Sequence, residues 1–141
     1  MANKPDCIFC KIIGGEIPGH IVDEDADTVT FMDAFPVAPG HTLIVTRDHY
    51  CDLLEARPAA IAAVAAKSVV VARAIKSVLQ APGLGVFQLN GAAAGQTVFH
   101  YHMHLVPRNH GEALQLHTRV PGVQDELAQL ADKLKQQMAN E

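Results

Sequence analysis

The chain contains no tryptophan, and its aromatic residues are few: two tyrosines and five phenylalanines in 141 residues. It has no basic tail and no low-complexity run, and its net charge of −4 is mild. That balance gives no support to a dedicated nucleic-acid or membrane-surface binder. The start, Met1-Ala2-Asn3-Lys4-Pro5-Asp6, lacks an apolar core, so no secretory signal is expected. The longest apolar stretch, Ala59 to Leu79, is interrupted by Lys67, Arg73 and Lys76 and reads as a poor membrane span. Cysteine is scarce and odd in number, at three. With no export signal, this points to a reducing cytoplasm rather than a disulfide scaffold. The cysteines then need another use.

What is present is a chain 49% apolar, long enough for one domain over residues 1–141 with a sizeable core. No internal repeat or domain boundary is visible. Asp6 is placed to cap a short helix over Cys7 to Ile13, stopped by Gly14-Gly15. Ile21-Val22 and Thr28 to Met32 read as a hairpin joined at Asp23 to Asp27. Pro36, Pro39 and Gly40 make a loop before a buried strand, His41 to Thr46. Pro58 opens one long helix to about Gln80, with Ile61, Val64, Val71, Ile75 and Leu79 on an apolar face. Leu84 to Asn90 reads as a strand and Gly91 to Gly95 as a small-residue loop. A polar helix from Val123 to Met138 ends the chain. Strands in runs around one long helix predict an α+β fold with a mainly antiparallel sheet.

The chemistry concentrates in Phe99 to Pro107, where His100, His102 and His104 alternate with apolar or aromatic residues. A strand would put the three imidazoles on one face and Tyr101, Met103 and Leu105 on the other. Residues four apart on a strand lie ~13 Å apart at ~3.3 Å per residue, so His100 and His104 are poorly placed to share a metal. Separate roles along one face are more natural. Neutral imidazole attacks phosphorus at neutral pH if one nitrogen is free and the other is held as a donor. Asn90 and then Gly95-Gln96-Thr97 bring amides, a hydroxyl and flexible backbone beside the strand, suited to a phosphate. The Gly-Lys-Ser/Thr ending of a P-loop is absent. Asn90-Gly91 is equally compatible with a plain turn.

The sequence His100-Tyr101-His102-Met103-His104-Leu105-Val106 resembles the signature of the histidine triad (HIT) superfamily, in which three histidines alternate with hydrophobic residues. Cys7 to Ile13 with Glu16-Ile17-Pro18, Phe31-Met32-Asp33, Pro39-Gly40-His41 and Gly95 to Val98 follow in the family's order. Together the motifs cover residues 7–108 and leave 109–141 as a C-terminal extension. The pattern is most similar to the Hint branch, the histidine triad nucleotide-binding proteins. His104 argues against the uridylyltransferase branch, which carries glutamine there. The resemblance implies a HIT-like fold of about five strands, one long helix and a C-terminal helix.

It also implies a nucleotidyl hydrolase or transferase for purine nucleoside phosphoramidates or related adenylates. His102 matches the nucleophile that forms a covalent phosphoramidate, and His104 and His41 match its helpers around the phosphate. Asn90, Gly95, Gln96 and Thr97 match phosphate and leaving-group contacts. Asp33 matches the carboxylate for the ribose hydroxyls, although alone it reads equally as a strand-end residue. Ile8, Phe9, Ile12 and Phe31 match an apolar slot for the base. A homodimer formed through the long helix and an edge strand is implied as well. Other readings are a dinucleoside polyphosphate hydrolase, a nucleotide-binding regulatory module, and a metalloenzyme using the triad as ligands.

Cys7-x-x-Cys10 has metal-ligand spacing but supplies half a site. Two core cysteines or a redox pair are the alternatives. His49 and His100 are available to complete a zinc site, an arrangement that resembles some bacterial relatives. Such a closed site is structural, leaving the chemistry without a metal requirement. Cys51 is the reserve ligand. His20, His110 and His117 show no partner pattern.

Overall fold

The first helix is short because its sequence begins with its own cap. In the computed structural model, which describes residues 3–140, α1 spans Ile8–Ile13. Its N-cap is Cys7, whose Sγ accepts from the Cys10 N–H, so the cap falls one residue later than Asp6. The Gly14 N–H closes the helix on Cys10 O.

Five strands build the sheet. β1 (Ile21–Glu24) and β2 (Thr28–Met32) form the expected hairpin, and β3 (Thr42–Thr46) pairs with β2. After the long helix α2 (Pro58–Leu79), β4 (Gly83–Phe87) and β5 (His102–Arg108) complete the sheet. Its order is β1-β2-β3-β5-β4, with every pairing antiparallel. A terminal helix, α3, covers Gln124–Ala139. The architecture is the expected α+β one of five antiparallel strands, a long helix and a C-terminal helix.

The sheet has two unlike faces. On one, Met32, Ile44, Tyr101 and Leu105 share a core with Val64, Val71, Ala74 and Ile75 of α2 and with Leu127, Ala131 and Leu134 of α3. On the other, Val29, Phe31, Leu43 and Val45 pack against Cys7, Phe9 and Cys10. β3 is buried on both faces, which explains its continuous apolar and β-branched sequence. Each fully buried Val, Leu or Ile contributes roughly 1.5–3 kcal/mol relative to exposure.

Pro58 begins α2 with a preset φ, and Gln80 ends it in the left-handed region at φ 56°. The helix is long and apolar enough to cross a membrane, with a mean hydropathy of 1.6 over its most apolar stretch. Its interrupting charges therefore do not settle its character. Packing against the sheet accounts for its buried residues, while Val69 stays half-exposed. At the entrance to β3, Gly40 adopts φ 90°. A Cβ there would collide with Leu79 and lie 3.0 Å from Pro107 Cγ, so only glycine lets α2 and β5 close on this turn.

Two strand boundaries differ from expectation. β4 ends at Phe87, because the Gln88 and Asn90 amides bond each other and turn the chain out of the sheet. β5 begins at His102, and the segment before it leaves the ladder as the Tyr101 N–H donates to Tyr50 O.

Candidate active site

β5 pairs with β3 on one side and β4 on the other, so its inward side chains are fixed from both edges. His104 lies opposite Leu43 and Phe87, and its ring stacks on Phe87 with centroids 4.5 Å apart. His102 lies opposite Val45, and Phe9 of α1 meets its ring edge-on at 5.0 Å. The His102 and His104 rings are 4.8 Å apart on the same side of the strand. Phe9 also reaches the His100 ring at 5.9 Å, so all three imidazoles lie towards α1.

Their backbone partners settle where the protons sit. His102 Nδ1 is 2.6 Å from His100 O, and a carbonyl only accepts, so Nδ1 carries the proton. Nε2 of His102 keeps its lone pair. His41 has the opposite arrangement: its Nδ1 accepts from the Val37 N–H at 3.1 Å, so its proton is on Nε2. That Nε2–H points at His104 Nδ1, 2.9 Å away, which must accept. His104 therefore carries its own proton on Nε2. Asp33 Oδ2 lies 3.3 Å from the same His41 nitrogen, and Asp33 Oδ1 accepts from the Phe35 N–H.

Burial favours the neutral form of every group in this relay. It lowers the pKa of His41 to about 4 and that of His104 to about 2, with neighbouring histidines adding to the effect. It lowers His102 as well, against the opposing His100 carbonyl. Burial also raises the Asp33 carboxyl to about 6. The result is an unprotonated nitrogen on His102 beside an N–H donor on His104, both available at neutral pH.

His102 and His104 form the floor of a cleft of about 990 Å³. Ile8, Phe9, Ile12, Phe31 and Leu43 make its apolar wall, and Asp33 and Thr97 border it. The cleft thus joins a greasy slot to a polar end carrying the His102 lone pair and the His104 N–H, the usual form of a small-molecule site. His41 stands behind His104 rather than in the cleft wall.

Asn90, Gly95 and Gln96, which the resemblance assigns to phosphate and leaving-group contacts, have their polar groups engaged in the loop beside the cleft. Asn90 Oδ1 accepts from the Leu53 N–H and from Gln88. Gln96 donates to Cys51 O and Val98 O and accepts from the Gly91 N–H. Both side chains brace the loop, and neither lines the cleft. Gly95, with φ 100°, offers its carbonyl to His117 Nε2 at 2.5 Å.

That contact corrects the reading of His117 as partnerless. With Thr118 and Arg119 it borders the cleft, and its ring lies 6.2 Å from that of His104. His20 borders the cleft too and bonds Gln124 Oε1 through Nε2. Both contacts span long sequence separations and carry no local motif, although the excess of histidine was a signal that they had work to do. His110 is exposed and borders no part of this cleft.

At the other end of the histidine series, Cys7, Cys10, His49 and His100 converge, their ligand atoms all within 4.8 Å of one another. Three of the four sulfur-to-nitrogen distances are 3.4, 3.5 and 3.6 Å, and His49 Nδ1 lies 3.2 Å from His100 Nδ1. A tetrahedral zinc with bonds of ~2.3 Å to sulfur and ~2.0–2.1 Å to nitrogen spaces such pairs ~3.6 and ~3.3 Å apart. The cluster matches that geometry. His100 Nε2 donates to Thr46 O at 2.6 Å, which holds the Nδ1 lone pair toward the cluster as a ligand requires. Cys51 lies outside it. The Cys51 N–H donates to Glu55 and its carbonyl takes the Gln96 amide, so the reserve-ligand reading is withdrawn.

Three imidazoles on alternate residues at and beside one strand, two of them lining a cleft, are the arrangement of a histidine triad protein. The HIT domain family matches residues 14–111, and the chain belongs to that family. It is 38% identical over 109 residues to adenylylsulfatase HINT3 of Arabidopsis thaliana, covering 77% of this chain and 55% of that protein. Among solved structures, a HIT-like protein of Bartonella henselae superposes with a TM-score of 0.88 at 36% identity, covering 97% of this chain and 99% of the other. A zinc-bound histidine triad protein of Mycobacterium smegmatis superposes at 0.84 with 34% identity, covering 96% and 94%.

Proposed function

We propose that this chain is a nucleotide-binding hydrolase or nucleotidyl transferase that cleaves purine nucleoside phosphoramidates or related adenylates through a nucleotidyl-histidine intermediate. One observation carries the reading: the His102 Nδ1–H is held by His100 O, which leaves the Nε2 lone pair free beside the cleft. In the first step that lone pair attacks the α-phosphorus and forms a P–N bond. The bond to the leaving group breaks with its electron pair on the departing atom, and a departing amine takes the proton of His104 Nε2, which the water of the second step restores. The His104 Nε2–H donates to the phosphate as charge develops. In the second step water attacks phosphorus, the P–N bond breaks, and a nucleoside monophosphate departs while His102 regains its lone pair.

The base occupies the slot of Ile8, Phe9, Ile12 and Phe31, and Asp33 accepts from the ribose hydroxyls. The adenylylsulfatase activity named for the Arabidopsis relative supports adenylates as the wider substrate class. Zinc at Cys7, Cys10, His49 and His100 is structural, because all four positions of a tetrahedral site are filled. The free cysteines suit a reducing cytoplasm. The exposed Val86 on edge strand β4 and Val69 on α2 suit a homodimer, which light scattering at micromolar concentration tests.

The chemical test is a base-quenched reaction with a labelled adenosine phosphoramidate. An acid-labile nucleotide bound to wild-type protein and absent from His102→Ala is expected. Turnover by His102→Ala at the wild-type rate would remove covalent catalysis. Comparing kcat/KM across phosphoramidates, acyl-adenylates, adenylyl sulfate and diadenosine polyphosphates then ranks the substrate classes.

A further inference from the structure

The segment between β5 and α3, residues 109–123, returns across the cleft mouth. Two polar contacts tie it there. His117 Nε2 donates to Gly95 O at 2.5 Å, and the Gly122 N–H donates to Ala34 O at 2.9 Å. Between these ties lie Thr118 and Arg119, both bordering the cleft. Arg119 is the one lysine or arginine in the cleft wall, and among the described residues its guanidinium has no hydrogen bond or ion pair. The His117 end of the strap stands beside His104, the phosphate end of the site.

The chemistry of departure gives this cation a purpose. An amine leaves phosphorus only after taking a proton. A sulfate or phosphate leaves as an anion and needs positive charge instead. His104 supplies a neutral donor, and the relay behind it is held neutral. The relay therefore offers no fixed charge to an anionic leaving group.

We infer that residues 117–119 form a leaving-group strap, with His117 as its positioning residue and Arg119 as the charge that selects anionic leaving groups, sulfate or phosphate. This rests on the nucleotidyl-transfer reading above. As the P–O bond to the leaving group breaks, its electron pair goes to the sulfate or phosphate oxygen, and Arg119 stabilises the charge that accumulates there. No proton transfer is required.

The experiment measures kcat/KM for adenylyl sulfate, for diadenosine tetraphosphate and for adenosine phosphoramidate with the full-length protein. Arg119→Gln should lower the ratio of an anionic-leaving-group substrate to the phosphoramidate at least tenfold, and Arg119→Lys should recover most of it. The advantage should shrink as salt rises, because the cation is exposed. His117→Ala should lower the same ratio, and the double variant should lose no more than the larger single loss, as expected for one coupled unit. The substrate that shows the drop identifies sulfate or phosphate as the preferred anion. An unchanged ratio in Arg119→Gln overturns the strap, as does an equal loss on all three substrates. Absence of any covalent intermediate in the wild-type protein instead overturns the reading beneath it.

Discussion

His100 and His102 stand two residues apart and share a face, yet they serve opposite ends of the molecule. The His100 end is closed by two sulfurs and a second imidazole, and its ring is fully buried. The His102 end opens on a cleft. Both rings donate one N–H to a backbone carbonyl at 2.6 Å, yet through different nitrogens: Nε2 in His100, Nδ1 in His102. That choice aims the remaining lone pair inward to the cysteine–histidine cluster in one case and outward to the cleft in the other. The lesson is that residue type and spacing bring imidazoles together, while the carbonyl each one meets assigns its task.

The sharpest way to break the comparison is at its reactive end. His102→Ala should lower kcat by about 10⁴-fold or more, since removing a nucleophile leaves only binding and positioning. Metal content by elemental analysis should stay at one zinc per chain. Loss of zinc with this change would merge the two ends into one site.

Next in size is the closed end. Chelation, or Cys10→Ser, should destabilise the fold by several kcal/mol, because metal binding contributes directly to folding. Activity per folded molecule should persist, as judged by active-site titration beside a thermal melt. Immediate loss of turnover with the fold intact would give the metal a chemical part.

Third, His41→Ala should lower kcat by about 10- to 100-fold, the scale of losing a partner that orients an active group. His41 acts through His104, so the loss should appear in kcat more than in KM. An unchanged kcat would show that His104 needs no orientation from behind.

The fourth prediction concerns pH. His41 and His104 are held neutral in the fold, to about 4 and about 2. Below pH 6.5 the unfolded chain takes up protons that these rings refuse, so stability falls as pH drops and rises again between pH 4 and 6.5. Asp33 opposes this. With its pKa raised to about 6, the folded carboxyl keeps a proton that the unfolded chain releases near 3.8, so its own contribution falls with rising pH over that window. Each group contributes a slope of about 1.4 kcal/mol per pH unit. Asp33→Asn should therefore steepen the rise in stability between pH 4 and 6 by about that amount in urea titrations. An unchanged slope would mean that Asp33 is ionised throughout. The smallest effect belongs to Cys51→Ala, which should change stability by no more than about 0.5 kcal/mol and leave zinc content unaltered.

Much of this architecture was legible because periodicity reports faces. Alternation placed His100, His102 and His104 together, and the apolar repeat marked the buried side of α2. The grouping of Cys7-x-x-Cys10 with His49 and His100 was reachable through the family resemblance, since the cysteine spacing alone supplies half a site. Loops were less legible. Asn90 and Gln96 lie near the right strand, but nothing in a turn sequence states which way an amide points, and both turn into the loop. His117 and Arg119 were invisible for a different reason: a connector that folds back across a cleft has no period, and its value lies in contacts 22 residues away, such as His117 with Gly95.

His100 reaches both ends of the molecule through different atoms. Its ring faces the sulfurs, while its peptide oxygen orients the His102 imidazole. The two parts are chemically separable. A side chain that replaces this ring but keeps the local backbone in place leaves the carbonyl that holds the His102 proton where it is. The far end of the strand can therefore change its ligands without turning the His102 imidazole.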